Sequence, residues 1–426
     1  MKYHLSAIVT LGAACCLAAL LASPHAPAAD PPAAECLLRD GTAFAAALHE
    51  VTDTGIVVSA EPGGLQTLPL EELVLWGAFA DRSQATQVVL VDGSVLVADV
   101  LSVEADAVVT VGRLWQETRL PRAVVQAIIF HPPADPQQRD ELLRRAWDTQ
   151  RPDARLLLEN GDELAGHLPD VLRPDAGAFQ LTHIAWITGD AGQTIDVAVE
   201  RLVAVLLTPG QTQRPAAGGQ ELLVGLRDGS LVHAQAMQQN GPSLELQLVA
   251  GPRIATEPFA AAGGQPWPSV VLLQPLRGHV TYLSDLPPLG YRHIPFLDMS
   301  WPYHLDRNVT GGRLRHGGRV WAKGLGMHSS ARLAFETGGQ YRELHAELAL
   351  DDAVGRQGSV IFRVYVQGTT DDWSLAYESG VVRGGEPALP IRVDLQQAQR
   401  VALIVDYADR TDQWDHANWL NARLVR

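Results

Sequence analysis

The chain has 426 residues with a formal net charge of −15, and 46% of its residues are hydrophobic. This length has room for roughly two to four domains, and the hydrophobic content excludes wholesale disorder. The negative charge argues against a nucleic-acid partner, because phosphate binding needs a basic surface, and it also disfavours adsorption to an anionic membrane.

The N-terminus, residues 1–29, has the pattern of an export signal. Lys2 gives a short positive start, an apolar run follows from Leu5 to Ala22, and small residues suited to cleavage lie near Ala29. The apolar run is also just long enough to serve as an uncleaved anchor helix. We expect cleavage, and hence an exported protein (periplasmic, cell-surface or secreted) with no membrane span in its mature form.

One sequence phrase recurs four times in the next part of the chain. An acidic residue or asparagine precedes a glycine and a small polar residue, with the glycines at Gly41, Gly93, Gly161 and Gly229. Asp-Gly and Asn-Gly between apolar runs favour tight hairpins, because both turn residues can take a positive φ. Alternating strands and a fuller apolar run follow each turn. The pattern predicts four repeated units, at residues 36–80, 86–131, 153–209 and 221–276.

Each unit is predicted to be a small β-barrel-like repeat, similar in architecture to the Sm-like and SH3-like folds. Closure into a barrel would remove the exposed sheet edges. Repeats this short could also stack on one another, so that neighbours share a core. Because such folds serve unrelated functions, we expect only that the repeats act as spacers or contact a protein partner.

Residues 133–150 are predicted to form a linking helix between the second and third units. Asp135 can cap the helix, Pro136 suits its first position, and Leu142, Leu143 and Trp147 fall on one face. We interpret this helix as a connector. The stretches 209–220 and 260–266 are rich in glycine, proline or glutamine and are predicted to be loops.

Residues 280–426 contain apolar and alternating runs separated by turn clusters, which predicts a β-sandwich. Five phrases follow one another here: Tyr282-Leu-Ser-Asp-Leu286, Trp321-Ala-Lys-Gly-Leu-Gly-Met-His328, Ala349-Leu-Asp-Asp352, Gly358-Ser-Val-Ile-Phe-Arg-Val364 and Asp415-His-Ala-Asn-Trp419. In this order they resemble the NPCBM family of carbohydrate-binding modules. The resemblance implies a galactose-binding-like β-sandwich (jelly roll) that holds a glycan or polysaccharide. The predicted fold class is therefore mainly β, with repeated small β-barrel-like units followed by this sandwich.

Sugar recognition requires flat apolar faces together with planar hydrogen-bonding groups. Trp373 lies in the polar stretch from Gln367, which is longer here than in the family pattern, and Trp414 lies in an aspartate-rich loop. His328 matches the family's Gly-x-His phrase. We expect carbohydrate binding by His328, Trp373 and Trp414, and a core position for Trp419.

Acidic residues in two loops of the sandwich could bind a hard cation. Carboxylates packed in loops beside backbone carbonyls suit Ca²⁺, which the family resemblance also allows as a structural ion. We name Asp351, Asp352 and Asp415 as candidate metal ligands. Each also has a plainer interpretation as a turn cap or a hydrogen-bond acceptor from the backbone.

No motif of a catalytic site is found in the sequence. The first hypothesis is an exported, non-catalytic carbohydrate-binding protein whose sandwich binds glycan. The alternatives are a glycoside hydrolase, or an accessory protein to one, in which the sandwich is a targeting module, and a protein–protein interaction module that has lost sugar binding.

Overall fold

A computed structural model describes residues 33–52, 55–60, 63–148, 150–189, 192–208, 221–258, 267–277, 280–296, 298–409 and 411–426. The expected export signal and the loops at 209–220 and 260–266 lie outside these ranges. Within them, no helix combines the length and apolar character needed to cross a membrane.

The protein is mainly β, as predicted, and its first part consists of four strand-rich units. Unit 1 contains β1 (Ala34–Leu38), β2 (Ala43–Val51), β3 (Gly55–Ala60), β4 (Gly64–Pro69) and β5 (Leu73–Gly77). Unit 2 contains β6 (Gln87–Leu90), β7 (Val95–Val97), β8 (Asp99–Val103), β9 (Ala107–Val111), β10 (Thr118–Pro121) and β11 (Val125–Ile129), and helix α1 (Pro136–Ala146) follows it. Unit 3 contains β12 (Ala154–Leu158), β13 (Glu163–His167), β14 (His183–Thr188), β15 (Gln193–Ala198) and β16 (Leu202–Leu206). Unit 4 contains β17 (Leu222–Leu226), β18 (Leu231–Asn240), β19 (Ser243–Leu248), β20 (Arg253–Ala255) and β21 (Val270–Pro275).

All four units share one pairing scheme, in which the first strand pairs with the second and also with the last. The hairpin between the first two strands contains the recurring glycine each time. Gly41, Gly93, Gly161 and Gly229 have φ values of 86°, 99°, 89° and 99°. Glycine recurs in the four turns because each turn requires a positive φ, which other residues rarely adopt.

The expected barrel closure does not occur among the described strands. The last strand of unit 1, β5, pairs with β21 of unit 4, and β11 of unit 2 pairs with β16 of unit 3. In unit 2, β8 to β10 form a separate three-stranded sheet. The backbone groups at these strand edges are hydrogen-bonded to a strand of a neighbouring unit, so closure of each unit into a barrel is not needed to pair them.

The units share one hydrophobic core, as the stacking alternative predicted. Each unit contributes one tryptophan to it: Trp76, Trp115, Trp186 and Trp267, all at most 3% exposed. Neighbouring units therefore bury one another's apolar faces.

Helix α1 begins as the sequence predicts. The Asp135 side chain accepts a hydrogen bond from the Gln138 N–H, and Pro136 occupies the first turn. Leu142 and Leu143 are buried against strands of units 2 and 3.

The C-terminal part is a sandwich of two antiparallel sheets. Its strands are β22 (Thr281–Tyr282), β23 (Pro288–His293), β24 (His304–Leu305), β25 (Leu314–His316), β26 (Arg319–Trp321), β27 (Gly324–His328), β28 (Ala331–Glu336), β29 (Glu343–Leu350), β30 (Ser359–Gln367), β31 (Trp373–Glu378), β32 (Val382–Arg383), β33 (Leu389–Asp394), β34 (Arg400–Tyr407) and β35 (His416–Val425). One sheet has the order β24-β27-β35-β29-β33, and the other has the order β23-β28-β34-β30-β31. Phe362 and Trp419 pack edge to face between them, with ring centroids 5.0 Å apart.

Candidate functional site

Two histidines lie side by side at one end of the sandwich. His328 ends β27 and His416 begins β35, and the two residues are direct partners in the antiparallel pairing. The adjoining pair, Met327 and Ala417, points into the core. Because side chains alternate along a strand, both imidazoles project from the outer face of this sheet.

Trp301 packs over this histidine pair. Its indole is parallel to the His328 ring, with an interplanar angle of 3° and a centroid separation of 4.6 Å. The His416 ring is tilted, 5.6 Å from the indole centroid. Trp301 is partly exposed whereas His328 is only 2% exposed, so the indole presents the apolar surface and His328 supports it.

His293 holds the backbone of Trp301 in place. Its Nε2 lies 3.0 Å from the carbonyl oxygen of Ser329, and its Nδ1 lies 3.2 Å from the backbone nitrogen of Trp301. A carbonyl can only accept and an N–H can only donate. His293 therefore carries its proton on Nε2 and accepts the Trp301 N–H at Nδ1. Both ring nitrogens are used, which makes His293 a positioning residue.

The other two imidazoles retain hydrogen-bonding capacity. His328 Nδ1 donates to the Ser329 carbonyl at 2.7 Å, which leaves Nε2 as an acceptor. None of the described residues hydrogen-bonds to either ring nitrogen of His416. Burial lowers the pKa of His416 to about 4 and also lowers the pKa of His328, so both are neutral at pH 7 and suited to uncharged hydroxyl groups.

An exposed tryptophan borders this site. Trp414 is 47% exposed, and its ring lies 6.2 Å from His416. Phe296 and Tyr407 pack edge to face at 6.2 Å, and both are exposed. We call His293, Trp301, His328, Trp414 and His416 the Trp301 cluster. It combines aromatic surface with neutral, planar hydrogen-bonding groups.

Of the three predicted sugar-binding residues, the structure brings together His328 and Trp414 but not Trp373. Trp373 pairs with Gln367 at one end of β30, whereas Ser359, at the other end, contacts Asp415 beside the cluster. Eight residues of strand correspond to roughly 26 Å at 3.3 Å per residue. Trp373 is 39% exposed, as its polar loop suggests, but it lies outside the cluster.

The first candidate metal ligand, Asp351, is 1% exposed and surrounded by hydrogen-bond donors. Asn418 Nδ2 donates to Oδ2 at 2.9 Å, the Arg315 N–H donates to the same oxygen at 3.2 Å, and the Ala353 N–H donates to Oδ1 at 3.1 Å. This carboxylate ties loops together and caps the short 3-10 turn Asp352–Val354.

The other two aspartates serve different turns. Asp352 accepts the Gly317 and Gly318 N–H groups at 2.9 and 2.8 Å. Asp415 accepts the Ser329 hydroxyl at 2.5 Å and the Ser359 N–H at 2.9 Å. The described residues contain no group of three His, Cys, Asp or Glu side chains that could hold a metal. Calcium binding by Asp351, Asp352 and Asp415 stays a prediction.

Trp301, His293 and His416 were not predicted from the sequence. His416 stands within the Asp415–Trp419 phrase, so its position was visible, but its partner across the sheet was not. Trp301 follows a loop with exposed Ile294 and Met299, at 59% and 66%, and this run of exposed apolar residues was the available signal.

Two curated proteins are similar to parts of this chain. One, from Renibacterium salmoninarum, is named as a candidate endo-α-N-acetylgalactosaminidase and is 30% identical over 115 residues, 27% of this chain and 7% of that protein. The other, α-1,3-galactosidase B of Akkermansia muciniphila, is 31% identical over 121 residues, 28% of this chain and 14% of that protein. The chain thus spans a small fraction of the length of either relative.

Solved structures with similarity include carbohydrate-binding modules. The CBM51-2 and INT domains of Clostridium perfringens ZmpB in complex with GlcNAc are 25% identical, covering 43% of this chain and 36% of that one, with a TM-score of 0.30. CBM51 of Clostridium perfringens GH95 in complex with methyl-galactose is 18% identical. The match covers 34% of this chain and 99% of that one, with a TM-score of 0.30. Superpositions this weak do not transfer a sugar position to this chain. The family description "NPCBM/NEW2 domain" matches residues 279–425, so the C-terminal third of the chain is an NPCBM/NEW2 domain.

Proposed function

We propose that this is an exported, non-catalytic carbohydrate-binding protein that binds a glycan at the Trp301 cluster. The observation that carries the proposal is the parallel stack of Trp301 on His328 beside His416, whose ring nitrogens have no partner among the described residues. The export pattern of residues 1–29 supports a location outside the cytoplasm.

The chemistry of the cluster suits a pyranose. The partly exposed indole of Trp301 and the exposed ring of Trp414 offer apolar surface for the C–H face of a sugar. Neutral His416 can both donate to and accept from hydroxyl groups, because its lowered pKa of about 4 keeps it uncharged. A shallow site of this kind should bind weakly, with a Kd of ~10 µM to mM, which corresponds to ~4–7 kcal/mol.

The second candidate function is a role beside a glycoside hydrolase, either as an accessory protein or as part of a longer enzyme. The names of the two curated relatives, both glycosidases, favour it. Asp415, which adjoins the cluster, is 1% exposed and bonded to Ser329 and Ser359. It is therefore poorly placed to protonate a glycosidic bond, and the cluster itself is better suited to binding than to hydrolysis.

A glycan array tests this proposal. The full chain should retain galactose-terminated or GlcNAc-terminated glycans, and Trp301→Ala should lose them while its circular dichroism spectrum stays unchanged. Release of reducing sugar from the retained glycans would favour the hydrolase alternative. An array on which neither protein binds would contradict sugar binding and favour a protein–protein module.

A further inference from the structure

A cavity of about 620 Å³ separates unit 1 from the outer face of the sandwich. Leu37 and Phe79 line it from the side of the repeats, and Trp321, Ile391 and Arg423 line it from the sandwich. No residue of the Trp301 cluster is among its lining residues. Its volume lies within the range of about 300–1,000 Å³ that is usual for ligand sites, which often lie between domains.

A buried positive charge in its wall is poorly compensated. The Arg423 side chain is 3% exposed, and Nη1 donates to the Asn421 carbonyl at 3.3 Å. The Glu347 carboxylate is 4.0 Å from Nη1, at the outer limit of an ion pair. Nε of Arg423 is buried, and no described residue accepts a hydrogen bond from it. A buried charge without a close partner is destabilising, so this guanidinium favours an additional anion.

The Glu347 carboxyl provides only part of the negative charge that Arg423 requires. Burial raises its pKa to about 7, so a large fraction of this carboxyl is protonated at neutral pH. Its Oε2 is likewise buried without a hydrogen-bond partner among the described residues. The carboxyl nearest to Arg423 is therefore negatively charged in only a fraction of the molecules at neutral pH.

Two further guanidinium groups line the cavity. Arg392 Nη2 donates to a neutral acceptor, the Asp40 carbonyl, at 2.8 Å. Arg319 lies 3.6 Å from Glu35, and both of these side chains are about half exposed. Among the described residues, the lining therefore contains three arginines and two glutamates, Glu35 and the partly protonated Glu347.

We propose that this cavity is a second binding site, for a small ligand with a carboxylate group and an apolar or sugar body. The carboxylate would pair with Arg423, whose guanidinium geometry suits it, and the body would contact Phe79, Trp321 and Ile391. The residues that form this site come from both the repeats and the sandwich, so the repeats take part in binding as well as in spacing.

Calorimetric titration of the full chain at pH 6.5 with D-glucuronate, benzoate and D-glucose tests the proposal. Glucuronate or benzoate should bind one to one, and glucose should not. Glucuronate alone would identify a sugar acid, and benzoate alone an aromatic acid. Absence of binding by both carboxylates, or equal binding of glucose that persists in Trp301→Ala, would overturn the proposal.

Four variants locate the binding. Arg423→Gln should weaken it at least tenfold, and Ala388→Trp, which fills the cavity from a partly buried lining position, should do the same without removing charge. Arg332→Gln, an exposed arginine on the other sheet, should leave it unchanged. Trp301→Ala should also leave it unchanged, which separates this site from the Trp301 cluster. If Arg423→Gln does not fold, titration of Ala388→Trp tests the proposal in its place. Carboxylate binding that survives in Ala388→Trp would contradict the proposal.

Discussion

Arg315 of the sandwich forms two hydrogen bonds to Asp140 of helix α1, Nη2 to Oδ1 at 2.7 Å and Nε to Oδ2 at 2.9 Å. Arg313 also donates to Asp140, at 2.7 Å, and Arg139 pairs with Asp81 at 2.8 Å. Burial opposes the ionisation of Asp140, but the hydrogen bond and charge of Arg315 and the charge of Arg313 outweigh it, and the pKa of Asp140 is lowered. The helix interpreted as a connector thus also fastens the sandwich to the repeats.

The first prediction concerns this pair. Asp140→Asn should lower the unfolding free energy by about 3–5 kcal/mol, because it leaves the buried arginines without a full counter-charge. Glu141→Gln is the matched control on the same helix. Glu141 pairs with Arg144, and each of the two side chains is 53% exposed. That variant should change stability by less than about 1 kcal/mol. Denaturant unfolding that ranks the two variants equally would contradict the role of the pair.

The second prediction separates a binding tryptophan from a structural one. Trp414→Ala should weaken glycan binding and change the unfolding free energy by less than about 0.5 kcal/mol, since its ring is 47% exposed. Trp419→Ala should cost about 3–5 kcal/mol, because it removes a fully buried ring that packs on Phe362. Thermal unfolding and titration of both variants check this. A large drop in stability for Trp414→Ala would show that it is a core residue.

The third prediction concerns the recurring hairpin. Gly161 has a φ of 89°, and a Cβ placed there would meet no atom within 4 Å, so only backbone strain opposes a side chain. Gly161→Val should therefore cost roughly 1–3 kcal/mol. Gly368→Ala, at an open position without positive φ, is the control and should be nearly neutral. Equal unfolding free energies for the two variants would refute the conformational argument.

The fourth prediction concerns Glu347, whose pKa rises from 4.5 to about 7 on burial. Between these pH values the folded state holds a proton that the unfolded state releases, so Glu347 increasingly destabilises the fold as pH rises from 5 to 8. Glu347→Gln lacks this dependence. The difference in unfolding free energy, Glu347→Gln minus the unchanged protein, should therefore increase by about 2 kcal/mol between pH 5 and pH 8.

Chemical denaturation at pH 5, 6, 7 and 8 measures this difference. Glu386→Gln, which removes a carboxyl at an exposed position of the same sandwich, serves as the matched control. A flat difference for Glu347→Gln would mean that the Glu347 carboxyl is ionised throughout the range in the folded protein.

Features that depend on neighbouring residues in sequence were predictable. The hairpin glycines, the cap at Asp135 and the buried Trp419 each follow from a local pattern of turn, cap or apolar residues. The pairing of β5 with β21 was not predictable, because it joins units that are far apart in sequence. The barrel expectation failed for this reason, since it assigned every strand edge a partner within its own unit.

The same distinction holds at the candidate site. His328 was identified from its motif, but its stacking on Trp301 and its pairing with His416 depend on register and on the course of a loop. A polar loop predicts an exposed tryptophan, and Trp373 is exposed, but the end of the sandwich at which it lies depends on strand pairing that the sequence does not show. Its sugar contact stays a prediction, as does the bound calcium.

The location of the bound glycan decides whether the Trp301 cluster is the binding site. Nuclear magnetic resonance of the tryptophan indole N–H groups, assigned by Trp→Phe variants, can follow each ring while an array-positive glycan is added to the full chain. We expect shifts for Trp301 and Trp414 and none for Trp373 or for buried Trp419. A shift confined to Trp373 would place the sugar at the opposite end of the sandwich and contradict the assignment of the Trp301 cluster as the glycan site.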